Sequence, residues 1–139
     1  MSAATATQNV ETVKELYAAF LRGDVNAILD HVTDTVNWNN QGNAAREVPW
    51  NGDFTGRRNL PKFFAALQEH TDFATFEPKD FTSNDHHVAV RLRVELTLKK
   101  NGRKIANDSI HFWTFDDAGK VTAFRFFNDT AAELAAWRG

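Results

Sequence analysis

Residues 87–129 read HVAVRLRVELTLKKNGRKIANDSIHFWTFDDAGKVTAFRFFND. Between His87 and Leu98 the apolar residues Val88, Val90, Leu92, Val94, Leu96 and Leu98 alternate without a break with Ala89, Arg91, Arg93, Glu95 and Thr97. That period of two belongs to a strand with one buried and one outward face. Lys100-Asn101-Gly102 and Asp116-Asp117-Ala118-Gly119 are hairpin-turn chemistry, so 87–98, 103–115 and 121–129 are expected to form an antiparallel meander. The stretch 73–82 reads as a further strand before it.

Upstream of these strands the period changes. Over 9–22 the apolar residues Val10, Val13, Leu16, Tyr17, Phe20 and Leu21 recur at three and four, the spacing of one buried helix face, and Gly23 ends the run. Asp24 is placed to cap a short second helix carrying Val25, Ile28 and Leu29. After Asp34, 36–40 reads as a strand with Val36 and Trp38 on one side. Residues 41–56 are polar but hold Pro49, Trp50 and Phe54, and two readings stand: a lid or rim over a pocket, or a surface loop. A third helix is expected after Asn59 as N-cap, with Pro61 in its first turn and Leu60, Phe63, Phe64 and Leu67 turned inward. The tail 131–137 reads as a short amphipathic helix closing one end.

Helices followed by long antiparallel strands give an α+β expectation: a cone-like curved, mainly antiparallel sheet, with about three N-terminal helices on its concave face, enclosing a pocket. Residues 1–8 are expected to be a loose arm and 9–139 a single domain. Among 139 residues there are 12 Phe and 4 Trp, and so many rigid rings in a small domain fill a core or line a ligand cavity.

Charge and motif content exclude several functions. The net charge is -2 and the 16 basic residues are scattered, without the Lys/Arg stripe that nucleic acid demands. No apolar run approaches the roughly 20 residues of a membrane span, and the first eight residues lack the pattern of a signal peptide. Neither nucleic acid nor membrane is therefore expected as a partner. The absence of cysteine excludes disulfides and thiolate chemistry and suits a reducing cytoplasm. His31, His70, His86 and His87 lack the spacing of a zinc site, and there is neither a phosphate-binding glycine loop nor a nucleophile elbow, so neither metal nor cofactor is expected.

Particular residues add to the order of elements. They are Tyr17-Ala18-Ala19-Phe20 before Gly23-Asp24, then Val36-Asn37-Trp38, then Phe54-Thr55-Gly56 before Phe63-Phe64. Near the end, His111-Phe112-Trp113-Thr114-Phe115 precedes Gly119-Lys120-Val121 and Phe124-Arg125-Phe126-Phe127-Asn128-Asp129. Together they resemble the SnoaL-like and ketosteroid isomerase-like branch of the nuclear transport factor two-like superfamily, over nearly the whole chain after Gln8. That fold hosts isomerases, cyclases, hydrolases and binding proteins, so function has to be argued from the site.

The resemblance implies specific positions. Ketosteroid isomerases remove a proton beside a carbonyl with a carboxylate, and hold the enolate with a Tyr and a protonated Asp. Their base falls on Asn40, an amide that cannot accept a proton at neutral pH. Their acidic donor falls on His111 and their tyrosine on Leu16, with Tyr17 turned about a hundred degrees away on the helix. The two Asp and one Arg of limonene epoxide hydrolases find no counterpart: Arg91, Arg93 and Glu95 have outward parity, and the second Asp falls on Phe126. SnoaL-like polyketide cyclases use an acid/base near the end of the last strand with a His nearby, which the resemblance carries to Asp129 and His111.

Each candidate has two readings. His111 shares the inward parity of Trp113 and Phe115, as an acid/base group or as a buried neutral histidine. Asp129 is either a pocket acid/base or the cap of the terminal helix, since inward Phe124 and Phe126 put Asn128 inside and Asp129 outside unless a bulge intervenes. Trp38, Phe54, Phe64, Val94, Trp113, Phe124 and Phe126 are expected to line the cavity, with Asn40 and Asn128 as neutral polar handles for a carbonyl or hydroxyl.

The leading expectation is an isomerase or cyclase working without cofactor, by acid/base chemistry, on a small apolar or aromatic carbonyl compound. The alternatives are a noncatalytic ligand-binding or dimerising protein of the same fold, an accessory partner protein, and an epoxide hydrolase. The convex face, with Arg91, Arg93, Glu95, Phe112, Arg125 and Phe127, is expected to form a homodimer in which Arg meets Glu across a two-fold axis.

Overall fold

In the computed structural model, which describes residues 3–139, five strands run in chain order as β1 (Val32–Asn40), β2 (Thr71–Ser83), β3 (His87–Leu98), β4 (Lys104–Phe115) and β5 (Val121–Phe127). They form one sheet in the order β1-β5-β4-β3-β2. All neighbours are antiparallel except β1, which returns parallel to β5. The sheet is therefore the expected meander, extended by β2 on one side and by β1 on the other.

The alternation in β3 holds: Val88, Val90, Leu92, Leu96 and Leu98 are buried, whereas Arg91 is exposed. The outward charges are paired within the chain, Arg91 Nε with Asp80 at 2.7 Å and Arg93 with Glu95 at 3.1 Å. An Arg to Glu pairing across a two-fold axis would have to compete with these contacts within the chain.

Four α-helices complete the fold: α1 (Ala3–Leu21), α2 (Val25–Leu29), α3 (Leu60–His70) and α4 (Thr130–Arg138). Residues 3–8, expected as part of a loose arm, continue α1 toward the N-terminus. Alanine and glutamine favour helix there, and one turn further on the buried Asn9 donates its amide to the Asp85 carbonyl at 3.2 Å, tying the helix to the β2–β3 turn. Residues 1 and 2 of that expected arm lie outside the described residues.

Gly23, at φ 73°, turns the chain out of α1, and Asp24 caps α2 by accepting from the Ala27 N–H at 3.1 Å. Asn59 stands at the start of α3 but caps nothing with its side chain. Its Nδ2 instead donates to the Thr55 carbonyl at 2.7 Å, because its backbone is already in the helical region and the amide faces back along the loop. Among the described residues no helix is long and apolar enough to cross a membrane.

Candidate active site

The sheet register stacks side chains in layers, and the β4 and β5 members of these layers, with Trp38 of β1, form part of the wall of a cavity. One layer runs Trp38, Phe124, Trp113, Val88 across β1, β5, β4 and β3; the next runs Asn40, Phe126, His111, Val90. On β2 the pairing slips between Phe73 and Thr75. That bulge lets Phe73 and Phe76, three apart in sequence, both face the cavity, where a regular strand would send them to opposite faces. With Leu16, Tyr17 and Phe20 from α1 and Phe63, Phe64 and Leu67 from α3, they enclose about 100 Å³. An engineered cavity of about 150 Å³ takes up benzene, so a space of about 100 Å³ admits at most about one ring.

Three polar groups interrupt the rings. Asn107 and Ser109 of β4 form one that is closed on itself, Ser109 Oγ donating to Asn107 Oδ1 at 3.2 Å and that oxygen also accepting from Asp129 N at 3.3 Å. The other two carry titratable side chains. The first is built on His111 of β4. Tyr17 Oη lies 2.8 Å from His111 Nδ1 and accepts from Trp113 Nε1 at 3.2 Å. The indole can only donate, so the phenol uses its single proton toward Nδ1 and leaves the imidazole with its proton on Nε2. Among the described residues no partner meets Nε2, nor is it among the occluded unpartnered atoms, so this N–H is open to a ligand. Burial drives the His111 pKa down to about 3 and pushes the Tyr17 phenol well above its ordinary value, so both are neutral at physiological pH.

The second is Glu133, on the face of α4 turned to the cavity and 3% exposed. Its carboxylate accepts from Trp50 Nε1 at 3.0 Å, Asn51 Nδ2 at 2.9 Å and Asn128 Nδ2 at 2.8 Å. Among the described residues no cation is paired with it. Burial raises its pKa above the ordinary carboxylate range, and the three donors oppose that rise. Asn128 follows Phe126 by two residues, and Phe126 pairs with His111. Asn128 lies just past the end of β5, so the His111 and Glu133 groups line the same cavity from neighbouring parts of its wall.

Of the residues expected to line the pocket, Trp38, Phe64, Val94, Trp113, Phe124, Phe126 and Asn128 do so, as does His111. Phe54 does not: it packs on the outer side of Phe63, ring centroids 5.4 Å apart, because its N–H is held by the Trp38 carbonyl at 2.8 Å. Asn40 also stays out of the cavity. It is fully buried, donating to Ala44 O at 2.8 Å and accepting from Gly52 N at 3.1 Å, so its amide folds the following loop.

Asp129 is exposed and caps α4, its Oδ1 accepting from Ala132 N at 3.0 Å. The inward parity of Asn128 holds without a bulge, which leaves Asp129 facing out. Glu133, one helical turn later, is the carboxylate that faces the cavity. Tyr17, expected to point away from the site, reaches it because the buried face of α1 is wide enough to include both Leu16 and Tyr17. The loop 41–56 is a packed wall, with Val48, Trp50 and Asn51 buried.

A curved sheet closed by helices around a ring-lined chamber defines an NTF2-like, that is nuclear transport factor two-like, α+β protein. Residues 13–124 match the family model described as SnoaL-like domain, and the chain belongs to that family. An NTF2-like protein of Burkholderia xenovorans is 27% identical with a TM-score of 0.84, covering 94% of this chain and 96% of its own. TerC, co-crystallised with polyporic acid, is 24% identical with a TM-score of 0.79 over 95% and 99% of the two chains. A Jannaschia protein described as a SnoaL-like polyketide cyclase is 20% identical with a TM-score of 0.79 over 98% and 95%. No curated protein matches the chain.

Proposed function

We propose that this protein is an acid/base catalyst for a small, mainly apolar carbonyl compound of about one ring. Glu133 removes a proton from the carbon beside the carbonyl, and His111 Nε2–H donates to the carbonyl oxygen as it takes on enolate charge. The observation that carries this reading is the buried carboxylate without a cationic partner, on the wall of the same apolar chamber as a neutral histidine. A base whose pKa is raised toward the working pH accepts a proton with a larger driving force. A neutral imidazole whose Nδ1 receives a hydrogen bond is a polarised donor that brings no cation to the site.

Return of the proton to the same or to a conjugated carbon completes an isomerisation, and attack of the enolate on a second carbonyl completes a cyclisation. The fold neighbour described as a polyketide cyclase and the one that holds polyporic acid are in keeping with this chemistry. The test is solvent exchange, which requires no knowledge of the natural product. In D2O, proton NMR should show acetophenone and related one-ring ketones losing their α-protons faster with enzyme than in buffer. The Asp129→Ala variant, which loses a helix cap and the least of the charge and hydrogen-bond effects on Glu133, should retain most of the rate. Ketones that bind without accelerated exchange would replace this reading with a noncatalytic binding protein.

The proposal includes a homodimer through the outer sheet face. Ile110, Phe112 and Phe127 are 40%, 39% and 38% exposed on adjacent strands, with Ile110 directly opposite Phe127. Because the flanking charges are satisfied within the chain, such a seam would be apolar at its centre. Light scattering at micromolar concentration should give twice the chain mass, and the Phe112→Glu variant should give a monomer. A wild-type monomer would remove the dimer from the proposal.

A further inference from the structure

A second cleft adjoins the chamber. It measures about 310 Å³ and lies between the end of α1, α2, α3 and the start of β2. Phe20, Ile28, Phe64, Leu67 and Phe73 line both spaces, so the two are separated by little more than these side chains. Three of them, Phe20, Phe64 and Phe73, are only partly buried. Phe20 meets Phe64 and Phe73 through ring contacts at 6.1 and 5.6 Å, the latter edge-on. These partly exposed rings form the partition between the inner chamber and the outer cleft.

The two spaces differ in character. The inner wall is mostly rings and aliphatic side chains, with His111, Glu133 and its partner Asn128, and the Asn107–Ser109 pair as its polar members, whereas the outer wall adds Asp24, Gln68 and Thr71 to Leu21 and Val25. Leu21 is 62% exposed, a large apolar side chain left in solvent at the rim. Among the described residues Asp24 is the charged member of the outer wall, and none of its lining residues is cationic.

We infer that the outer cleft is a second ligand subsite, reached past Phe20, Phe64 and Phe73, and that the substrate is a two-part molecule: a one-ring carbonyl head and an uncharged flexible tail of several carbons. The head occupies the chamber and the tail lies against Leu21, Val25 and Gln68. Asp24 offers no free charge to the tail, because its carboxylate is paired with Arg22 at 3.5 Å and caps α2. Assignment of the carbonyl to the inner end rests on the proposed function; the existence of the tail subsite does not.

The test is a homologous series of phenyl alkyl ketones, from acetophenone to octanophenone, bound to the full chain by isothermal titration calorimetry. Affinity should rise about three- to fourfold per methylene as the tail fills the cleft, then level off. Two variants fill the cleft from positions outside the chamber. Gln68→Phe changes an exposed side chain, and Val25→Phe a half-buried one. In either, acetophenone should bind as in the wild type while the dependence on chain length flattens. Equal affinity along the wild-type series, no binding of any member, or a dependence that survives in both folded variants would overturn the inference. Length-dependent binding without α-proton exchange would overturn the catalytic reading and leave the tail subsite standing.

Discussion

Replacing Glu133 by Gln should lower α-proton exchange by about 10²- to 10⁴-fold, the usual contribution of a positioned general base, while binding of the same ketones changes little. The substitution is close to isosteric, and its surroundings can adapt. Three donors face the carboxylate, so a glutamine amide brings one N–H against a donor. Asn51 Oδ1 is buried without a partner, and an amide turn at Asn51 offers that oxygen to the new N–H. A fold-level loss would therefore be small, and the loss of exchange would report the missing base.

The pH dependence separates the two titratable groups. His111 stays neutral down to about pH 3, so the acid limb of the exchange profile should belong to Glu133 alone. It should fall as a single step at a pH above the ordinary carboxylate range. The same shift has a consequence for stability. The folded state binds the Glu133 proton more tightly than the unfolded chain does, so this contribution is fully present below the unfolded value and is lost as pH rises through the raised folded value. Glu133→Gln lacks that loss and should gain stability relative to the wild type between mildly acidic and neutral pH. Thermal melts across that range check it. An unchanged exchange rate in Glu133→Gln would remove Glu133 from the mechanism.

The framework was legible because strand parity is a strong signal. Alternation over His87–Leu98 correctly assigned both faces of β3, and the register then carried that parity to His111, Trp113, Phe124 and Phe126. Phe73 and Phe76 were legible only in part, because both face inward through a bulge that no residue type announces. Glu133 gave no signal. In a short helix of alanines a glutamate reads as a solvent-facing residue, and its burial depends on Trp50 and Asn51 arriving from a loop more than 80 positions away. Asn40 misled in the opposite direction: its strand parity is inward, but its amide is consumed by the turn that follows it. Residues whose roles follow from the period of their own element were readable, and those whose roles follow from a distant partner were not.

Tyr17 belongs to the second kind, and Tyr17→Phe should have the largest effect on stability for the smallest change in shape. The phenol oxygen joins two groups that have no other partner among the described residues: the Trp113 indole N–H and His111 Nδ1. Phenylalanine fills the ring's place and keeps the edge contacts to Phe76 and Trp113, at 5.5 and 5.8 Å, so little packing is lost. What is lost is the satisfaction of one donor and one acceptor, each costing about 1–3 kcal/mol when left unpaired inside a protein. A destabilisation of about 2–4 kcal/mol follows, which for a chain of this size lowers the melting temperature by on the order of 10 °C. The functional effect should be indirect, because Tyr17 positions His111 and does not itself hold the carbonyl. Without the phenol proton on Nδ1, neither tautomer is imposed, and the Nε2–H donor is present for only part of the time. Nitrogen NMR of His111 should show one Nε2-protonated tautomer in the wild type and a mixture in Tyr17→Phe, with a fall in exchange rate smaller than the 10²- to 10³-fold expected for loss of a whole oxyanion donor. A wild-type His111 that titrates near 6.5 would mean that the Tyr17 bond and the surrounding rings do not keep it neutral, and the histidine would then serve as an acid rather than as a fixed donor.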